Sequence, residues 1–137
     1  MRIALPWWLT LIVIIETLPM FVVPVVALSF PPLLGGPGAE EINQAAFVYA
    51  ARNLAVGLAF IIAFALKNGA MLFILIFIRL FTDLIDLPTF LYFGDVSNTT
   101  RLVSIFVFLY YIPAVFALWY LWKQMKNDAG KRSMDLT

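Results

Sequence analysis

Six polar side chains stand where the surrounding chain is oily: Glu16, Arg52, Asn53, Arg79, Asp83 and Asp86. Five of them are ionisable, and each sits within a run of Leu, Ile, Val, Ala and Phe. Carboxyl groups in such a setting can carry a proton, arginines can hold an anion, and the two together can form ion pairs. Each is costly in hydrocarbon and so needs a partner or a wet cavity. The chain contains no histidine and no cysteine. That excludes haem or zinc held by histidine, a Ser-His-Asp triad, thiol catalysis, disulfides and iron–sulfur clusters. No metal-ligand set is legible.

Spacing sorts these groups. Arg79 and Asp83 are four residues apart and can pair within one helix. Asp86 continues their face, while Phe73, Phe77 and Phe81 fall on the opposite side, so this helix is expected to turn its polar stripe inward and its Phe face to lipid. At a rise of about 1.5 Å per residue, Glu16 and Arg79 each lie about 14 Å in from one side of the bilayer. Arg52 and Asp83 lie about 12 Å in from the other. The expected pairs are therefore Glu16 with Arg79 and Arg52 with Asp83, with Arg79–Asp83 as a further pair. Three acids against two bases leave one carboxyl over, Asp86 or Glu16. Asp86 is either hydrated at the interface or protonatable in an outward-facing pocket. Ala51, Ala55, Ala59 and Ala63 recur every four residues and form an expected helix-packing stripe, bordered by Arg52 and Asn53.

The elements that must position these groups follow from composition. In 137 residues, 64% are hydrophobic, only 12% are charged, and the mean hydropathy is +0.97. A soluble domain of this size could not hide so much apolar surface. A net charge of +1 gives nucleic-acid binding no electrostatic support. A spanning helix needs about 20 apolar residues, and lipid offers no partners to an open strand. Four runs qualify, at about 7–30, 44–66, 70–87 and 102–122, the third with room to continue past Pro88. The expected fold is an all-α polytopic membrane protein, an antiparallel four-transmembrane-helix bundle over residues 1–122. Residues 123–137 form a polar tail expected to fray.

Punctuation supports the division. Pro31-Pro32 stops the first run, and Leu34-Gly35-Gly36-Pro37-Gly38 makes a loop. Lys67-Asn68-Gly69 supplies a cation and a glycine stop after the second. Pro19, Pro24 and Pro113 are expected kinks. The first run is expected to be retained rather than cleaved, because it is too long for a signal segment and Glu16 and Pro19 interrupt it. Basic residues Arg2, Lys67, Lys123, Lys126, Lys131 and Arg132 gather on one side, against Arg101 on the other. Both termini are therefore expected in the cytoplasm. Trp7, Trp8, Trp119 and Trp122 belong to that same interface. The sequon Asn98-Thr99-Thr100 lies too close to the membrane to carry weight. Tyr110, Tyr111 and Ser104 could bring hydroxyls to the core, and such groups more often bond a neighbouring backbone.

The middle of the chain resembles the DoxX-like group of small four-helix membrane proteins, including its branches of unknown function. The resemblance rests on the proline-bearing first helix, the Gly-rich loop, Arg52-Asn53-Leu54-Ala55-Val56-Gly57-Leu58, the Lys-Asn-Gly turn and the acidic third helix with Asp83 and Asp86. Asn53 stands where those branches often have an Asp. The resemblance implies a four-helix fold. For some members it implies kinship with membrane subunits of quinone-linked sulfur oxidoreductases, and so a role as a partner or quinone-side anchor.

Three functions compete. The first is a non-catalytic accessory, anchoring or scaffold subunit of a larger membrane complex, with the charges as a buried ion-pair network that fixes the helices. The second is a small transporter or ligand- or proton-binding protein using an outward-facing pocket of Glu16, Arg52, Asn53, Arg79, Asp83 and Asp86. The third, an intramembrane acid–base enzyme, has the least support. The first implies no cofactor of its own, contacts with lipid or quinone, and partners among membrane lipids, other membrane subunits or further copies of the chain.

Overall fold

A computed structural model describes residues 3–30, 44–93 and 99–135. Those residues fold into helices with no strand. Helix α1 spans Trp7–Ser29, α2 Gln44–Ala65 and α3 Gly69–Phe93. The last rod is continuous: α4 (Thr99–Ile105), a π-helical turn (Phe106–Tyr111) and α5 (Ile112–Asp135). Three helices are long and apolar enough to cross a membrane, at 7–26, 47–65 and within the last rod. Helix α3 is long enough at 25 residues, but Arg79, Asp83 and Asp86 interrupt its apolar run. Four apolar spans were expected from the sequence. The third is the one whose charges set it apart.

The core of α1 faces inward through Leu9, Ile12, Val13, Glu16, Met20 and Pro24, a stripe with steps of three and four residues. Leu11, Ile14, Leu18, Val22 and Val25 point away. Both faces are apolar, so hydrophobicity alone does not choose between them. One face carries Glu16, whose exposure to hydrocarbon would be the costliest of all, and that face is buried.

Helices α1 and α2 pack most extensively and run antiparallel. The Ile3 amide donates to the Lys67 carbonyl at 3.0 Å at one end, and Gly57 abuts Met20 and Phe21 further along. A Cβ at Gly57 would fall 2.9 Å from the Phe21 ring and 3.0 Å from the Met20 Cβ, so this approach requires a glycine. The α2 seam therefore runs through Ala50, Gly57, Phe60 and Ala63. This corrects the expected alanine stripe: Ala63 is buried and Ala59 half-buried, but Ala51 and Ala55 are exposed. The close contact is made by the glycine, and the seam turns the other alanines outward.

The α2–α3 turn also differs in detail from its sequence reading. Lys67 takes the left-handed conformation, with φ 49°. Its amide donates to the Phe64 carbonyl and that of Asn68 to the Ala63 carbonyl, each at 3.0 Å, the paired bonds of a Schellman closure. The helix thus stops on Lys67, and Gly69 is already the buried first residue of α3. Asn68 caps that helix, its Oδ1 accepting the Met71 amide at 3.2 Å.

Helix α3 packs chiefly on α5, and Phe73 meets Trp122 at a ring separation of 5.8 Å. Phe77 and Phe81 are exposed as expected of a lipid face, whereas Phe73 is half-buried against the core. Helix α3 continues through Pro88 to Phe93. The polar tail, expected to fray from residue 123, is helical through Asp135. Continuation of an already packed helix removes the nucleation cost, and Lys, Gln, Met, Ala and Arg are good helix formers. Lys123 and Lys126 stack on Trp119 and Trp122 one turn earlier. Before Pro113, which has no amide hydrogen, the Ile112 amide reaches back five residues to the Val107 carbonyl. The turn before Pro113 is thus widened.

Candidate functional site

Three charged groups meet at the centre. Asp83 lies on the inward face of α3, and Arg79 lies one turn before it. The Arg79 Nη2 stands 2.8 Å from the Asp83 Oδ1. Across from them, Glu16 projects from α1 and places its Oε2 3.9 Å from the Arg79 Nε. Glu16 and Asp83 are each 1% exposed, and the Arg79 side chain is 11% exposed. Helix α1 packs on α2 and, less extensively, on the last rod, while α3 packs on α2 and on that same rod. The ion cluster therefore links two helices that are not principal neighbours.

The arrangement is under-satisfied. Among the described residues, Oε1 and Oε2 of Glu16, Nε of Arg79, Oδ1 of Asp83 and Oγ1 of Thr17 are buried without a partner in hydrogen-bond geometry. The Arg79–Asp83 contact is thus close in distance but not aligned along an N–H bond. Tyr111, at the end of the π-helical turn, donates its hydroxyl to the Asp83 main-chain carbonyl at 2.8 Å. That bond ties the last rod to α3 at the level of the cluster. Ser104, another of the three hydroxyls of interest on this rod, bonds the Thr100 carbonyl of its own helix.

The remaining sequence candidates stand apart. Arg52 is exposed on α2, on the face that carries Val48, Ala55, Ile62 and Leu66. It makes no ion pair with any described residue, so the expected Arg52–Asp83 pair is replaced by Arg79–Asp83 within one helix. The physical reason is rotation: the Gly57 contact fixes the face of α2 that meets α1, and Arg52 is not on it. Asn53 is half-buried and donates its Nδ2 to the Tyr49 carbonyl at 2.9 Å, a bond within its own helix. Asp86 is half-buried, one turn beyond Asp83, with no ion pair among the described residues. Of the six residues that the sequence offers as a buried network or a pocket, Glu16, Arg79 and Asp83 form a buried cluster and Arg52, Asn53 and Asp86 lie outside it.

Two contributors escaped the sequence reading. Thr17, which follows Glu16 in sequence, buries a hydroxyl with no hydrogen-bond partner among the described residues, and Tyr49 lies within electrostatic reach of Arg79, Asp83 and Asp86. Only the adjacency of Thr17 to Glu16, and the four-residue step from Tyr49 to Asn53, hinted at either. No grouping of three or more His, Cys, Asp or Glu residues suited to a metal ion occurs among the described residues. The cluster can hold helices together and can hold a proton. No family model matches the chain, and no curated protein or solved structure matches it at a significant level.

Proposed function

We propose that this chain is a non-catalytic integral membrane protein, an antiparallel four-helix bundle that serves as an accessory, anchoring or scaffold subunit of a larger membrane complex. Helix α3 is the fourth span, its charges turned inward, and both termini face the cytoplasm. Membrane lipids and other membrane subunits are its partners, and it carries no cofactor of its own. The DoxX-like resemblance is in keeping with this reading and adds contact with a quinone-side partner.

The observation that carries the proposal is the burial of Glu16 and Asp83 at 1% exposure on two helices that are not principal neighbours. Carboxyl groups so placed, with Arg79 between them, act as a pin. An outward-facing pocket would leave them wet and would include Arg52, which instead lies on the outer face of α2. Removing the Arg79 cation from between the two carboxyls costs about 3–5 kcal/mol, which makes the cluster a lock between α1 and α3. A second reading, a small transporter or proton-binding protein, draws support from the mismatch of two buried carboxyls to one guanidinium.

The test is a gentle-detergent pull-down of the tagged full chain with mass spectrometry and sizing of what elutes. A stoichiometric larger complex is expected. A clean, stable monomer or dimer overturns the subunit reading. Because the natural chain lacks cysteine, single cysteines placed at Ser29, Lys67 and Ser133 report sidedness by reagent access. Labelling of Lys67 and Ser133 from one side and of Ser29 from the other is the expected pattern. Labelling of Ser133 on the side of Ser29 removes α3 as a span.

A further inference from the structure

At the centre of the structure, two carboxyl groups share one guanidinium. Arg79 is the one cation within ion-pair distance of Glu16 or Asp83 among the described residues. With both carboxyls ionised the cluster carries a net charge of −1, at a depth where an uncompensated charge is strongly disfavoured. The guanidinium is not shared evenly. It stands 2.8 Å from Asp83 by Nη2 and 3.9 Å from Glu16 by Nε. Neither oxygen of Glu16 has a hydrogen-bond partner among the described residues. A buried carboxylate that accepts no hydrogen bond is the costliest form of the group, whereas the protonated acid is neutral and needs less.

We propose that the central cluster is a proton-binding site: one exchangeable proton is carried on Glu16, while Asp83 is ionised against Arg79. The cluster is then neutral, and a cation-binding alternative would have to place its ion beside the guanidinium. Arg79 of α3 faces Glu16, and Asp83 of α3 and Tyr110 of the π-helical turn lie within electrostatic reach of it. Beyond them, Asp86 of α3, Tyr49 of α2 and Tyr111 of the π-helical turn act on the Arg79–Asp83 side. None of these adds a cation. Removal of the proton would leave two carboxylates sharing one guanidinium, so proton occupancy sets the net charge of the cluster between α1 and α3. This inference does not depend on the subunit reading, since a scaffold and a transporter could each carry such a site.

Infrared spectroscopy of the full chain in lipid nanodiscs at neutral pH tests it. The chain contains three glutamates, at 16, 40 and 41, so a Glu40→Gln, Glu41→Gln chain retains Glu16 as its sole glutamate. The expected result is a protonated-carboxyl C=O band in that chain that shifts with ¹³C-glutamate and not with ¹³C-aspartate, and that moves down on transfer to D2O. Glu16→Gln should abolish the band. Absence of the band, a response to labelled aspartate alone, or no response to D2O overturns the proposal. Should Glu16→Gln fail to fold, the isotope-labelled sole-glutamate chain still decides the question, because its cluster is untouched.

Discussion

At the end that carries the Lys67 turn, Leu9, Phe60, Ala63, Leu72, Ile76, Ala117 and Leu121 form one sealed apolar cluster drawn from four helices. Trp8 closes it by edge contacts with Phe116 and Tyr120 at ring separations of 5.2 and 4.7 Å. Past Glu16 the picture changes. Met20 and Pro24 of α1 and Ala50 and Gly57 of α2 are buried, while α4 and the π-helical turn bury no residue. Among the described residues this end is held by the Glu16–Arg79–Asp83 cluster and the Tyr111–Asp83 bond rather than by a comparable apolar cluster. One region is specified by shape, the other by a few polar contacts. Close packing tolerates no single rearrangement cheaply, whereas an under-satisfied polar cluster has alternative states close in energy. Conformational and protonation changes are therefore expected first in the second region.

The largest expected effect breaks the polar region. Arg79→Met leaves buried carboxyls without their cation and should destabilise the protein by about 3–5 kcal/mol in detergent or nanodisc unfolding. Arg79→Met with Asp83→Asn should recover the greater part, because the charges leave together. A double variant as weak as the single would show that the pair itself, rather than an orphaned charge, holds this region. In the sealed region, Leu72→Ala should cost about 2–5 kcal/mol, with the size set by how far the cavity collapses. A cost well below that range would mean that the sealed region is no better packed than the polar one.

Smaller changes sharpen the boundary. Tyr111→Phe removes one hydrogen bond between the last rod and α3 and should cost about 1 kcal/mol. Faster hydrogen exchange should follow in the π-helical turn and not at the Lys67 turn. The smallest effect has the opposite sign. Lys67→Gly relieves a left-handed non-glycine residue and should stabilise by about 0.5–1 kcal/mol, read as a raised melting temperature. A loss of stability there would mean that the lysine contributes more through its side chain than its backbone conformation costs.

Much of this was legible before any coordinates. The helical class and the inward stripe of Arg79 and Asp83 were readable because long apolar runs exclude strands and because four-residue spacing brings charges together. Glu16–Arg79 was readable from expected depth alone, since counting residues along the apolar runs puts both at one level. Arg52 misled because depth says nothing about rotation: it matches Asp83 in level yet faces outward. The alanine stripe misled for the same reason. Small residues permit close approach without fixing which face makes it, and here Gly57 against Phe21 fixes it. Lys67 as the helix stop was hidden because a glycine two residues later looked the better candidate.

The sequence by itself determined that the chain is helical, that it is too apolar for water, and that its charges must be hidden or paired, because these follow from composition and from the cost of charge in hydrocarbon. Only the tertiary structure decided which charges meet. On helices that are apolar all round, every rotation buries similar hydrophobic area. The choice among them falls to a few contacts, a glycine under a phenylalanine ring and a guanidinium between two carboxyls, that exist only once the helices are side by side.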